Sequence, residues 1–272
     1  MKIGNRDFDL NNPPYIMGIL NVTPDSFSDG NKYNNIDSAL FQTEKMIKEG
    51  ADIVDIGGES TRPNHIKISI LEEIERLSPF IEKIRKNFDV PLSLDSYKPE
   101  VVKEFIGKID MVNDIWGLKY DSNMAPLVAK ANLPYVLMHN RHNTNYTNFL
   151  DDVVQDIKES LQIAEENGIK KENIIIDAGI GFAKTYEQNL LLLKHLEVLN
   201  QFSCPQMIAT SRKSVLGITL DNLPEERDLA TAITTTIGIT KGIKFLRVHN
   251  VKANMEAIKI TNSILRGAKW SR

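Results

Sequence analysis

The sequence predicts an α/β fold, a closed (β/α)8 TIM barrel, and three observations lead there. Short apolar runs of strand length alternate with longer segments whose apolar residues recur at helical spacing, the pattern of parallel strands joined by helices. The alternation repeats eight times within 272 residues, the number and length of a closed barrel. No long polar or low-complexity segment separates any two units, so 1–272 reads as a single barrel domain with a short irregular or hairpin extension at 1–15. An open, doubly wound sheet is the weaker alternative: it usually has fewer units, and no GxGxxG follows the first strand.

The elements follow in order. Asn11-Asn12-Pro13-Pro14 breaks the chain ahead of the first strand. That strand, 16–21, is apolar to Leu20 and stops at Asn21, as a buried parallel strand does where it leaves the core. Its loop carries Asp25, Phe27 and Asp29 before Gly30; a connection needs turn-formers, not a phenyl ring. Residues 37–50 form an amphipathic helix with Ala39, Leu40, Met46 and Ile47, closed by Gly50. Strand 53–56 runs into Gly57-Gly58-Glu59-Ser60-Thr61-Arg62-Pro63, then a helix over 71–88 with Leu71, Ile74, Leu77, Ile81 and Ile84 on one stripe. Strand 91–94 ends in Asp95-Ser96, and the next helix, 99–106, has Pro99 in its first turn.

Strand 111–112 runs into Asn113-Asp114 and a helix over 124–131. Strand 135–138 runs into His139-Asn140-Arg141 and a long helix over 150–167, ended by Gly168. Strand 174–176 leads to Asp177-Ala178-Gly179 and a helix near 187–199; strand 207–209 leads to Thr210-Ser211-Arg212-Lys213 and a helix over 228–241. Strand 245–246 leads to Arg247-Val248-His249-Asn250 and a last helix over 254–265.

Bulk properties exclude several functions. A net charge of −3 gives no basic surface for nucleic acid. No apolar run reaches the ~20 residues of a membrane span, and no signal-peptide core opens the chain. The single cysteine, Cys204, has no partner for an internal disulfide and no metal-ligand spacing around it. A soluble, cytoplasmic protein is the expectation.

In such a barrel the carboxyl ends of the strands share one face, where active sites are built. Here that rim collects Asn21, Thr61, Arg62, Asp95, Asn113, His139, Asp177, Lys213, Arg247 and His249. Any one of these serves equally well as a solvated turn residue; polar groups at all eight strand ends mark a site. Asp95, Asn113 and Asp177 supply acceptors for a ligand edge rich in N–H donors, such as an amino-pyrimidinone. Arg62, Lys213, Arg247 and His249 form a second half suited to phosphate. Three acids in metal-cage spacing, HxH and HExxH are all missing. If a divalent ion takes part, the expectation is Mg2+ held by substrate phosphates with one protein oxygen, that of Asn21. No G-x-S-x-G is present, which leaves serine nucleophilic catalysis without support.

The stretches IMGILNVTPDSFSDG (16–30), ADIVDIGGESTRP (51–63), LSLDS (92–96), VNDIWGL (112–118), IIIDAGIGFAKT (174–185), ATSRKSVLG (209–217) and RVHNV (247–251) together resemble the dihydropteroate synthase family. They run in family order over essentially the whole chain, and the first two carry most of the specificity. The resemblance implies a (β/α) barrel that condenses 6-hydroxymethyl-7,8-dihydropterin diphosphate with p-aminobenzoate, giving 7,8-dihydropteroate and diphosphate. It places the pterin on Asp95, Asn113, Asp177 and Lys213, with Ile115, Met138 and Phe182 along the ring faces. It places diphosphate and Mg2+ with Asn21, Arg62, Arg247 and His249, and p-aminobenzoate among Phe27, Thr61, Pro63, Lys213 and Ser214. Asp95, Lys213 and Arg247 are the implied catalytic groups, and sulfonamides would occupy the p-aminobenzoate pocket.

Four positions depart from the family pattern: Ala178 replaces a common Pro, Ala183 a common Gly, and Asn31 and Asn64 replace glycines. None removes a functional group, and Asn tolerates left-handed backbone better than other non-glycine residues. Two rival readings are weaker. A pterin-binding barrel of the cobalamin-dependent methyltransferases would lack the NVTPDSFSDG loop and the SRK–RVH pair. A catalytically inactive pterin-binding module would lose the cationic half. The family is commonly dimeric, and Ile258, Ile260, Ile264 and Leu265 of the last helix suit either barrel packing or a homodimer partner.

Overall fold

The computed structural model describes residues 1–12, 14–23, 32–60 and 67–267. Strands β1 (Lys2–Ile3) and β2 (Arg6–Asp7) pair as an antiparallel hairpin. Eight parallel strands then close on themselves: β3 (Tyr15–Asn21), β4 (Ile53–Gly57), β5 (Leu92–Asp95), β6 (Met111–Asp114), β7 (Tyr135–Met138), β8 (Ile174–Asp177), β9 (Gln206–Ile208) and β10 (Phe245–Val248). Each hydrogen-bonds to its neighbours in sequence, and β10 returns to β3 with Phe245 opposite Tyr15 and Arg247 opposite Met17. The closed barrel predicted by the eightfold alternation is observed.

Most strands are buried on both faces, which explains their nearly continuous apolar runs. Within β4 the parity is plain: Val54 and Ile56 pack outward against the helices, while Ile53 joins the barrel floor with Met17, Met111, Val136, Ile175, Met207 and Phe245. Ile3 and Phe8 of the hairpin region close that floor from below, Phe8 lying 6.0 Å from the Phe245 ring. The register sets the opposite, upper end. Asn21 pairs with Gly57, Gly57 with Asp95, and Asp95 with Asn113, so four adjacent strands deliver these residues at one level.

Helices α1 (Lys32–Glu49), α2 (Ile70–Asn87), α3 (Pro99–Phe105), α4 (Met124–Ala131), α5 (Phe149–Glu166), α6 (Tyr186–Lys194), α7 (Ser214–Leu220), α8 (Asp228–Thr240) and α9 (Val251–Arg266) cover the barrel. Several ends differ from expectation, each for a local reason. Ser69 caps α2 by accepting from the Glu72 N–H, which starts the helix at Ile70 and leaves Leu71 outside the buried stripe, 65% exposed. The helix expected over 187–199 is two pieces, α6 with a Thr185–Gln188 capping box and a tighter 3-10 segment at Leu196–Phe202. α9 begins at Val251 because Asn250 accepts from the Ala253 N–H. The seven-residue α7 leaves no pattern in the sequence, because it follows the Thr210–Lys213 turn too closely to show a period of its own.

Candidate active site

The upper end of the barrel holds a buried polar cluster. Asp55, Asp95, Asn113 and Asp177 are all less than a tenth exposed. Arg247 spans two of the carboxylates: its Nε donates to Asp55 Oδ2 at 2.7 Å and its Nη2 to Asp95 Oδ2 at 2.7 Å. Asn113 donates through Nδ2 to the same Asp55 oxygen at 3.0 Å. Burial disfavours the Arg247 charge, but the two carboxylates outweigh it and hold its pKa above the ordinary value. Burial also pushes Asp95 up to about 7, against the pull of Arg247 and with added repulsion from Asp55. The expected division into an acceptor half and a cationic half therefore needs correction. Arg247 lies inside the acceptor half as its counter-ion, because a group of buried carboxylates is sustainable only with a cation among them.

Asp177 faces this cluster from β8. Its Oδ1 accepts the Gly179 N–H at 2.8 Å; burial raises its pKa, and Lys213 opposes the rise. The turn that supplies this bond requires glycine, since Gly179 has φ +67° and a Cβ there would stand 1.9 Å from the His139 carbonyl oxygen. Lys213 is half-buried, donates to the Ile180 carbonyl, and places Nζ 4.7 Å from the centre of the Phe182 ring. Burial lowers its pKa to about 8, resisted by Asp177. Ile115 and Met138 pack with Tyr97, and Phe182 and Trp116 lie against them, forming an apolar wall beside the polar cluster. This wall contains all three residues expected to line a ring.

The remaining expected residues divide three ways. Asn21 ends β3 half-buried, with Gly57 beside it. His249 Nδ1 and Ser211 Oγ lie 2.9 Å apart, and Ser211 Oγ accepts the His249 N–H at 3.0 Å. Ser214 is exposed in the first turn of α7. Phe27, Thr61, Arg62 and Pro63, like Asp25, Asp29, Asn31 and Asn64, lie outside the described residues. His139 departs from the rim. Its ring turns away from the barrel mouth towards α5, where Nε2 meets Asp156 Oδ2 at 2.9 Å and Nδ1 meets Lys184 Nζ at 2.8 Å. Burial pushes His139 down to about 4, with Lys184 adding to the effect. A neutral imidazole then donates to Asp156 and accepts from Lys184.

Two lysines escaped the sequence reading. Lys184 gives its remaining ammonium hydrogens to the Gly179 and Phe182 carbonyls, at 2.9 and 3.0 Å, and so shapes the loop that carries Phe182. In that loop Ala183, where a glycine is common, adopts φ +44°, and its carbonyl accepts from the Tyr146 hydroxyl at 2.9 Å. Lys98 binds Glu59 Oε2 at 2.6 Å, Glu73 Oε2 at 2.7 Å and the Ile68 carbonyl at 2.8 Å, while Tyr97 donates to Glu59 Oε1 at 2.8 Å. This pins the chain on both sides of the segment 61–66. Neither lysine has a sequence signal, because its partners lie up to 45 residues away. Asp55 did have one: it shares the inward parity of Ile53 within β4, and a lone carboxylate on the inward face of a barrel strand has no water to meet.

Comparison with known proteins gives this geometry a family. Residues 17–249 match the family described as pterin binding enzyme. A dihydropteroate synthase of Clostridium beijerinckii is 51% identical over 98% of this chain and 100% of its own. The crystal structure of the Clostridium difficile dihydropteroate synthase, obtained in the presence of pteroic acid, has a TM-score of 0.93 at 43% identity, covering 96% of this chain and 100% of that one. The Yersinia pestis dihydropteroate synthase in complex with a sulfonamide drug has a TM-score of 0.91 at 35% identity, covering 98% and 99%. The chain belongs to the pterin binding enzymes and folds as a closed (β/α) barrel. Within them it is a member of the dihydropteroate synthases, which are transferases.

Proposed function

We propose that the barrel rim joins 6-hydroxymethyl-7,8-dihydropterin diphosphate to p-aminobenzoate. The observation that carries this reading is the convergence of Asp95, Asn113 and Asp177 with Lys213 and Arg247, walled by Ile115, Met138 and Phe182. Acceptors flanked by an apolar wall suit a flat heterocycle with several N–H donors. The bond between the pterin methylene carbon and diphosphate oxygen breaks, and its electron pair leaves with diphosphate. Ring nitrogens donate density to the methylene carbon, and the Asp95 carboxylate stabilises the positive charge this spreads into the ring. The p-aminobenzoate nitrogen then forms the new C–N bond and loses a proton. An arylamine is largely unprotonated at neutral pH, so orientation replaces a strong base.

The diphosphate is assigned to Asn21, Arg62, His249 and the N–H groups of Arg247 that the two carboxylates leave over. Mg2+ fits this set. The Asn21 amide supplies a hard oxygen, and space beside it stays open because residue 57 is glycine, where a Cβ would come within 3.8 Å of Asn21 Oδ1 and 3.4 Å of Asp95 Cβ. Among the described residues no group of three His, Cys, Asp or Glu could hold a metal unaided. When bound, the ion would neutralise charge on the departing diphosphate. Phe27, Thr61, Pro63, Lys213 and Ser214 are assigned to p-aminobenzoate and to sulfonamides. Diphosphate release from the two substrates with Mg2+ tests the function; no release from folded protein would overturn it.

A homodimer and a cytoplasmic location belong to the same reading. Leu229 and Ile233 of α8 and Ile260, Ile264 and Leu265 of α9 are each more than half exposed along one groove, whereas Ile258 is fully buried against the barrel. A contiguous apolar face of this kind suits a second copy of the chain. The lone Cys204 is buried and burial raises its thiol pKa, a quiet thiol compatible with a reducing compartment. No described helix is long and apolar enough to cross a membrane.

A further inference from the structure

We propose that Asp55 is a positioning residue that fixes which way the Asn113 amide faces, so that Asn113 presents an acceptor to the pterin. The inference rests on the reading of this cluster as the pterin site. An amide can present either its oxygen or its NH2 group to a ligand, and the two orientations have nearly the same shape. Something must choose between them, and a carboxylate paired with a guanidinium can only accept. Asp55 Oδ2 already accepts the Arg247 Nε–H at 2.7 Å, and it takes the Asn113 Nδ2–H at 3.0 Å as its second donor. If the amide turned over, Asn113 Oδ1 would face that oxygen, acceptor against acceptor, in a fully buried place.

The penalty is sharpened by the other carboxylate oxygen. Asp55 Oδ1 is buried without a hydrogen-bond partner among the described residues, so the group is short of donors before any turn of the amide. With Nδ2 committed to Asp55, Asn113 Oδ1 accepts nothing among the described residues and remains for the ligand. The reversed amide would set a donor against the N–H edge of the pterin, beside Asp95 and Asp177, which both accept. Asp55 thereby makes the third member of the set an acceptor too, although it need not touch the ligand. Register supports the arrangement: Asp55 on β4 and Asn113 on β6 flank β5, in which Asp55 pairs with Ser93 and Asp95 with Asn113.

Three variants separate orientation from charge. D55N keeps a side-chain oxygen that both donors can use, so it should retain pterin affinity within about threefold. D55L removes the acceptor and frees the amide, and should weaken binding of unsubstituted pterin at least tenfold by calorimetry. Its KM for pterin diphosphate should rise in step, with little change in KM for p-aminobenzoate. D55L/N113D restores an acceptor that has no wrong face, and should recover most of the loss. Equal losses in D55N and D55L would overturn the proposal in favour of a charge effect on Arg247. A D55L protein with native affinity, or a double variant no better than D55L, would overturn it as well. If D55L does not fold, the double variant decides: it must fold and bind pterin within about tenfold of the native protein, and failure overturns the proposal. A native protein that binds no pterin overturns the site reading itself, an outcome distinct from all of these.

Discussion

A single oxygen-to-nitrogen change at Asp177 tests the acceptor set directly. The Gly179 N–H holds one carboxylate oxygen, and an amide would keep that bond with its own oxygen and turn NH2 to the pocket. Asp177→Asn should therefore weaken pterin binding by about 1–3 kcal/mol while leaving the thermal midpoint nearly unchanged; calorimetry showing native affinity would refute the assignment. Asp95 adds a pH dependence. Burial, with Asp55 nearby, holds its pKa at about 7, so below that value the free protein keeps Asp95 protonated. Pterin binding that needs an ionised Asp95 should tighten as pH rises through about 7 and level off above it, and Asp95→Asn should flatten the profile. Stability runs the other way. The unfolded chain releases this proton near 3.8, so Asp95's contribution is fully present below that pH and lost as pH climbs through about 7. Adjacent cations make a third contrast. Lys213→Ala removes the ammonium between Phe182 and Asp177 and should cut turnover by roughly 100-fold or more, as steady-state rates would show. Arg212, at φ +60° and bound to Asp228 at 2.8 and 3.0 Å, points away; Arg212→Ala should lower stability by about 1 kcal/mol and spare turnover.

Loops anchored by buried lysines define the next scale up. Ala183 sits in left-handed backbone between the Phe182 carbonyl, bound by Lys184, and its own carbonyl, bound by Tyr146. Those bonds fix the conformation against the cost of a Cβ there, so Ala183→Gly should stabilise the protein by about 1 kcal/mol in chemical denaturation, with pterin affinity preserved. A loss of stability would mean that the loop does not hold this geometry. The same scale shows what the sequence conveys and what it conceals. The strands were legible because each is a short apolar run cut off by a polar residue, and the long helices because their apolar spacing persists over several turns. α7 was not, at seven residues behind a turn. Asp55 is obscured by four apolar or glycine neighbours, although its parity points inward. Lys98 and Lys184 could not have been found, since a hydrogen bond between residues 39 or 45 positions apart leaves no local pattern. His139 misled because a strand-end histidine reads the same whether it faces the barrel mouth or the helix outside.

For the molecule as a whole, the α8–α9 face is a contiguous apolar groove left exposed among the described residues. Replacing Ile264, 77% exposed, with Lys should shift the protein to monomer in sedimentation velocity while leaving its circular dichroism unchanged. A native protein that sediments as a monomer at micromolar concentration would remove the dimer from the proposed reading.

The hairpin beneath the barrel carries a consequence for how the chain comes together during synthesis. Ile3 and Phe8 leave the ribosome long before Phe245, whose ring forms part of the surface that receives them. The hairpin thus completes its docking only after β10 is made, since β10 supplies both the closing hydrogen bonds to β3 and the aromatic ring beside Phe8. A nascent chain halted before Phe245 keeps Met17, Ile53 and Met111 open to water from below, a surface suited to chaperone capture. Seating of the hairpin then reports the arrival of β10: burial of Phe8, followed in ribosome-arrested fragments of increasing length, should appear only once β10 has emerged.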